Sequence, residues 1–152
     1  MVILQEQLNV ASPPITNRTY AYFTVTGKGS CAPISEALGL ECTNSWSEGD
    51  IRPRDGKPYK FMRWSLESGL DDTHPIDEHI EKLLSVLTPL KQELASLSKS
   101  YELTMQCVGY FHPSGHGIHF PKSTVEQIAS LSLCIDADFY YVSDHGHDLD
   151  YH

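Results

Sequence analysis

Basic residues are scarce in this chain of 152 residues, which has 11 lysines and arginines against 20 aspartates and glutamates. With neutral histidine its formal net charge is −9. So little positive charge is a poor match for the phosphates of nucleic acid or for an anionic membrane surface, and we expect neither as a partner. A hydrophobic content of 40% excludes a disordered chain, and the length favours one domain.

Long apolar segments and closely spaced cysteines are also lacking. No run approaches the roughly 20 apolar residues that cross a bilayer. The first residues, MVILQEQ, have neither the basic start nor the apolar length of a signal peptide. No C-x-x-C occurs among the four cysteines, which are Cys31, Cys42, Cys107 and Cys134. We therefore predict free, buried thiols in a cytoplasmic protein.

The common catalytic motifs are absent. The chain has no G-x-S-x-G nucleophile elbow, no P-loop and no G-x-G-x-x-G. Asp136 and Asp138 alternate off the expected core face of the last strand, which indicates a polar sheet face or a protected edge rather than an acid–base pair. We assign no catalytic residue and expect a protein that is not an enzyme.

Alternating and helical apolar patterns predict an α+β fold, with a mostly antiparallel sheet, one long helix and two short ones. The predicted strands cover residues 20–26, 41–46, 61–67, 102–111, 117–120 and 134–142. Helices are expected at 32–38 and 76–97, with a kink or break at Pro89, and a third helix begins at the capping box Ser123–Glu126.

The order strand, short helix, strand occurs twice, at residues 20–46 and again at 102–142. Two interpretations stay open: two related ferredoxin-like halves, or convergence of short elements. We divide the chain into a lead-in segment of residues 1–18, a single domain of residues 19–143 and an Asp/His-rich tail of residues 144–152.

The basic residues are concentrated in one long loop, which runs from Trp46 to Arg63. Five of them lie within twelve residues, beside Trp46 and Tyr59: Arg52, Arg54, Lys57, Lys60 and Arg63. Guanidinium groups beside aromatic rings suit a phosphate or an acidic protein surface. The competing interpretation is a solvated loop whose arginines pair with nearby acids. The predicted binding residues are Trp46, Asp50, Arg52, Arg54, Tyr59 and Arg63.

Three histidines form a second candidate cluster, His112, His116 and His119. Neutral imidazole, with carboxylates from the Asp/His-rich tail, is a plausible ligand set for zinc or nickel. The Pro113–Gly115 turn between the histidines fixes no metal geometry, and an exposed turn also tolerates histidine without function. We expect no cofactor, and a divalent transition metal is the alternative.

Five short motifs occur in order along the chain: YAYFTVTG at 20–27, T-x-x-W-x-x-GD at 43–50, Y-x-x-x-x-WSL-x-SGL at 59–70, EHI at 78–80 and QCVGYF at 106–111. Together they resemble the bacterial domain-of-unknown-function family numbered 4279, over residues 20–142. The resemblance implies no catalytic residue, since the family has no established activity. The histidine-rich turn and the tail depart from the family pattern.

These observations favour a small, acidic, non-catalytic binding module that recognises a protein partner or a small anion. One version is an immunity-type protein, whose acidic surface blocks the basic active site of a toxin. The alternative is a metal-dependent enzyme that uses His112, His116 and His119.

Overall fold

The structure, a computed structural model, describes residues 17–112 and 117–142. Its sheet has the strand order β2-β3-β1-β4-β5. Neighbouring strands are antiparallel except β4 and β5, which are parallel. The predicted α+β fold is therefore confirmed. The strands are β1 (Arg18–Gly27), β2 (Asn44–Trp46), β3 (Met62–Glu67), β4 (Glu102–Phe111) and β5 (Cys134–Tyr141).

The helices follow the predicted spacing of apolar residues. Pro89 lies in a 3₁₀ turn that interrupts the long helix, because proline offers no backbone N–H to the α-helical pattern. The third helix begins at Lys122, and no side chain caps it, so the predicted capping box is wrong. The helical segments are α1 (Ala32–Leu38), α2 (Ile76–Leu87), the 3₁₀ turn (Thr88–Leu90), α3 (Lys91–Leu97) and α4 (Lys122–Ser130).

The core lies between the sheet and one layer of helices. Side chains alternate along a strand, so the odd-numbered residues Ala21, Phe23 and Val25 of β1 all point into this layer. The Trp64 indole N–H donates a hydrogen bond of 2.8 Å to the Ser35 hydroxyl, which ties β3 to α1. All the described helices contribute to this one core. The opposite face of the sheet is left without a helix from the described ranges.

The two strand–helix–strand units differ in their pairing. In β1-α1-β2 the two strands are parallel to each other, but β3 lies between them. In β4-α4-β5 the strands are direct parallel neighbours. As the last strand of the sheet, β5 leaves Phe139 43% exposed and Tyr141 71% exposed, although both point toward the helix side.

Two smaller expectations are wrong. Residues 117–120 form no strand, because they precede α4 without pairing to the sheet. All four cysteines are free, as predicted, but only Cys107 is buried. Cys31 and Cys42 are partly exposed, and Cys134 is exposed, since β5 is an edge strand. None of the helices within residues 17–112 and 117–142 is long and apolar enough to cross a membrane. Most of the lead-in segment and the tail lie outside the described residues.

Candidate functional site

A pocket opens on the face of the sheet that no described helix covers. The even-numbered residues of β1 point to this face, and the register of β1 with β3 brings Tyr22 opposite Glu67. The pocket has a volume of about 240 Å³. Its lining comes from three neighbouring strands and consists of Tyr20, Tyr22, Asn44, Trp46, Arg63, Ser65 and Glu67. We call it the Arg63 pocket.

Arg63 supplies the positive charge of this pocket. Its Nη2 donates a hydrogen bond of 2.8 Å to the Tyr22 hydroxyl. The guanidinium carbon lies 5.4 Å from the centre of the Tyr22 ring and 5.6 Å from that of Trp46, so two aromatic rings hold the cation. Its Nε is buried without a hydrogen-bond partner among the described residues. Leaving such a donor unsatisfied costs free energy, and the part of the guanidinium that lines the pocket can donate its other N–H groups to a ligand.

The Trp46 wall of the pocket is held by the long loop. Tyr59 stacks on Trp46 with ring centroids 4.4 Å apart, and the Trp46 indole N–H donates a 3.0 Å hydrogen bond to the Phe61 carbonyl. The loop returns to β3 through a backbone hydrogen bond of 2.8 Å from the Tyr59 N–H to the Asp50 carbonyl. These contacts fix the Trp46 ring before any ligand arrives.

Glu67 supplies the negative charge at the other end of the pocket. It lies four residues from Arg63 along β3, on the same face of the sheet, with Ser65 between them. Its backbone N–H donates a hydrogen bond of 2.9 Å to the Thr43 hydroxyl. Within the described part of the chain, its carboxylate is exposed and has neither an ion pair nor a hydrogen bond. The pocket therefore holds a cation and an anion that do not pair with each other.

The predicted binding loop contributes only part of this site. Of its six predicted residues, Trp46, Tyr59 and Arg63 come together. Arg52 is instead bound by both carboxylate oxygens of Asp55, at 2.7 and 3.1 Å, with its guanidinium carbon 5.9 Å from the centre of the Tyr59 ring. Asp50 and Arg54 also lie outside the pocket.

The loop acids are used locally. The Asp50 carboxylate accepts a 2.8 Å hydrogen bond from the Ser47 backbone N–H. The Lys57 backbone N–H, with help from the Arg52 guanidinium, lowers the pKa of Asp55 below its ordinary value. Arg54 is exposed. Participation of Arg52 and Arg54 in binding stays a prediction.

Sequence reasoning missed Tyr22 and Glu67, which complete the site. The predicted inward face of β1 already implied that Tyr22 points the other way. Which residues lie beside it could not be read from the sequence, since that depends on the pairing of β1 with β3.

The histidine cluster is described only in part, because His116 lies outside the described residues. The His112 backbone N–H donates to the Asn17 side-chain oxygen at 3.0 Å, and its buried Nε2 has no partner in the described ranges. His119 is exposed and lines a separate cavity with Thr19. No group of three or more histidine, cysteine or acidic residues within 17–112 and 117–142 could hold a metal ion. The metal site stays a prediction.

A buried serine–histidine pair joins two of the motifs found in the sequence. The Ser68 hydroxyl lies 2.6 Å from His79 Nδ1, and it accepts a hydrogen bond from the Leu70 backbone N–H. Burial lowers the pKa of His79. This contact links the end of β3 to α2. Because both side chains are buried, the pair presents no nucleophile to solvent.

Comparison with known proteins agrees with the family resemblance. Residues 17–142 match the model of a family described as a domain of unknown function, DUF4279. The match begins one residue before β1 and ends one residue after β5, so it spans the whole sheet and all the helices given above. No curated protein and no solved structure matches the chain.

Proposed function

Since the chain belongs to the DUF4279 family, whose description assigns no activity, we propose from the geometry of the Arg63 pocket that this protein is a non-catalytic binding module. Its ligand is a small molecule with an anionic group, a carboxylate or a phosphate. The group binds to the Arg63 guanidinium on the face of the sheet that lacks helices.

The observation that carries this proposal is the state of the Arg63 side chain. Its guanidinium lies between two aromatic rings, and its Nε is buried without a partner among the described residues. A charge-assisted hydrogen bond to such a group is stronger than a bond between neutral partners. The rings and the Tyr22 hydroxyl already hold the side chain, so binding costs little rotational freedom.

The composition of the pocket supports binding rather than catalysis. Among the described residues, Glu67 is the one carboxylate of the lining, which has no histidine, cysteine or lysine. Of its two tyrosines, Tyr22 accepts a hydrogen bond from Arg63, and burial raises the pKa of Tyr20 to about 12. Proton transfer during a reaction usually needs a positioned acid or base within hydrogen-bond reach of the substrate, often as a pair with different pKa values. The tyrosines and Glu67 of the Arg63 pocket are therefore poorly suited to proton transfer near neutral pH.

The size of the pocket favours a small molecule as the source of the anion. A volume of about 240 Å³ lies below the roughly 300–1,000 Å³ of typical ligand pockets, so it fits only a small molecule or one side chain. A protein partner would bring the same chemistry as an acidic side chain. The immunity-type version uses acidic surface residues instead of Arg63, and it stays a prediction.

Titration by nuclear magnetic resonance tests the proposal. Sodium acetate and sodium phosphate are added separately to ¹⁵N-labelled protein, with chloride exchanged so that ionic strength stays constant. We expect saturable shifts at the amides of Tyr22, Arg63 and Ser65. Arg63→Gln should abolish them, whereas Arg54→Gln removes an equal charge outside the pocket and should keep them. Linear shifts of equal size in both variants would contradict a specific site.

A parallel titration distinguishes the two sources of the anion. A peptide with blocked termini and one internal glutamate carries the acidic side chain of a protein without a free small molecule. Saturable binding of acetate or phosphate supports the small-molecule proposal. If only the peptide shifts the pocket amides, the ligand is a protein side chain.

A further inference from the structure

The Arg63 pocket carries two opposite charges that form no ion pair with any described residue. The Arg63 guanidinium contacts Tyr22 and Trp46, and Glu67 lines the same pocket without a partner in the described part of the chain. From this arrangement we infer that the ligand is a zwitterion of amino-acid size, with its carboxylate on Arg63 and its ammonium group on Glu67. The inference rests on the proposed function, which concerns the Arg63 half alone.

Glu67 sets the sign of the second ligand group. A simple anion bound to Arg63 would lie in the same pocket as the Glu67 carboxylate, and like charges at short range repel each other. An ammonium group on the ligand turns this repulsion into attraction and donates hydrogen bonds to the carboxylate. A ligand with both groups therefore satisfies both ends of the pocket, whereas a ligand with one group satisfies only one end.

Contacts hold the Arg63 side chain and the backbone of Glu67 in place. Arg63 Nη2 is engaged by the Tyr22 hydroxyl, and its guanidinium lies between two rings. The backbone at Glu67 is fixed through the Thr43 hydroxyl, which accepts its N–H. Because Arg63 is held by Tyr22 and Trp46, a ligand does not have to break an internal salt bridge before it binds.

The ammonium and carboxylate groups of an amino acid are attached to one carbon, so the side chains of Arg63 and Glu67 must reach toward each other. Arg63 does so, because its guanidinium contacts Tyr22, which faces Glu67 across the β1–β3 pair.

The remaining lining can contact the side chain of the amino acid. Ser65, which is buried, lies between Arg63 and Glu67 along β3, and Asn44 faces Ser65 across the β2–β3 pair. The Tyr20, Tyr22 and Trp46 rings give the pocket aromatic walls, against which an apolar side chain can pack. The volume of about 240 Å³ favours a single amino acid over a longer peptide.

The first experiment compares amino acids with analogues that lack one charge. Each of the twenty protein amino acids is titrated into ¹⁵N-labelled protein at constant ionic strength. For the tightest ligand, the acid without the amino group and the amine without the carboxylate are titrated next. For leucine these are 4-methylpentanoate and 3-methylbutylamine. We expect each analogue to bind roughly tenfold more weakly or worse, because it leaves one charged group of the pocket without its partner.

Variants of the two charged residues assign each ligand group to its side chain. Glu67→Gln should lower the affinity for the amino acid to that for its deaminated analogue. The affinity for the analogue itself should stay unchanged or rise slightly. Arg63→Gln should abolish binding of both. Glu102→Gln is the matched control, since it removes an exposed carboxylate from β4, outside the lining of the pocket, and should change neither. The dispersed ¹⁵N spectrum of Arg63→Gln checks that this variant is folded, and Arg63→Lys keeps the positive charge as a conservative comparison.

The results separate this inference from the proposed function. If the deaminated acid binds as tightly as the amino acid, or if Glu67→Gln leaves amino-acid binding intact, the zwitterion is wrong and the anion site stands. The same holds if acetate or phosphate binds and no amino acid does. If carboxylates bind equally well to the folded Arg63→Gln variant, both proposals are wrong.

Discussion

The Trp46 and Tyr59 rings stack with their centroids 4.4 Å apart and their planes 12° from parallel, although the long loop separates them in sequence. The stack closes the base of the loop and places the Trp46 ring beside the Arg63 guanidinium. The contact between Trp46 and Tyr59 stabilises the loop and also positions one wall of the Arg63 pocket.

Removal of the Tyr59 ring should weaken binding as well as folding. In Tyr59→Ala the stack is lost, and with it about 0.5–1.5 kcal/mol beyond the buried area. The Trp46 ring gains freedom, so the affinity for the anion should fall severalfold. Urea unfolding and the acetate titration measure the two effects. Tyr141→Ala, at an exposed position on the far edge strand, should change neither, and unchanged affinity in Tyr59→Ala would contradict the role of the stack.

Leu84 tests whether the long helix and the sheet share one core. Its side chain is only 4% exposed within the cluster that also holds Phe23 and Trp64. Leu84→Ala should therefore lower the free energy of unfolding by about 2–5 kcal/mol, as buried leucine truncations do. Val86→Ala is the control on the same helix, because Val86 is 38% exposed and should cost far less. If the two variants lose the same free energy of unfolding in urea, Leu84 is not part of the core.

Most of the fold could be predicted because its patterns are local. The alternation along β1 and the three- and four-residue spacing of apolar residues through α2 and α3 each depend on one segment alone. The prediction of a strand at 117–120 was wrong, because a short apolar run becomes a strand only if a neighbouring strand pairs with it.

The site was predictable only where its residues are close in sequence. Trp46, Tyr59 and Arg63 were found through the local concentration of rings and basic residues. Tyr22 and Glu67 were not, because their place beside Arg63 follows from the register of two strands that are distant along the chain. Arg52 was also predicted to be part of the site. Its guanidinium instead forms a salt bridge with Asp55, an acid three residues away.

His79 should make folding sensitive to mild acid. Its burial lowers its pKa below the ordinary value of 6.5, so above that pH both the folded and the unfolded states are neutral and stability is full. As the pH falls below 6.5, the unfolded chain takes up a proton before the folded chain does, and stability declines. Urea unfolding at pH 7.5 and pH 5.5 should show a smaller decline in His79→Gln than in the wild type. Parallel declines in the two proteins would exclude His79 as the cause.

The four thiols should differ in reactivity. Burial raises the pKa of Cys107 to about 12, whereas Cys134 lies exposed on the edge strand. Thiolates are the reactive form, so brief iodoacetamide treatment of the folded protein should label Cys134 first and Cys107 last. Mass spectrometry of the digested protein then shows the order in which the cysteines are alkylated. The unfolded, unreduced chain should show four free thiols, and a count of two would indicate a disulfide and contradict the expected cytoplasmic location.

Arg52 and Arg54 should affect how fast an anion arrives rather than how tightly it is held. Both lie outside the Arg63 pocket, and Asp55 already neutralises part of the Arg52 charge. Their remaining influence is long-range Coulomb attraction, which raises association rates and is screened by salt. The double variant Arg52→Ala and Arg54→Ala should therefore slow association at low ionic strength and match the wild type in high salt.

Stability should change by no more than about 1 kcal/mol in this double variant, since exposed ion pairs contribute little. Line-shape analysis of the acetate titration gives the two rate constants, and Arg63→Lys is the comparison, because it should mainly speed dissociation. A faster dissociation in the double variant, unchanged by salt, would mean that the loop arginines contact the ligand directly. The predicted binding loop would then be part of the site itself.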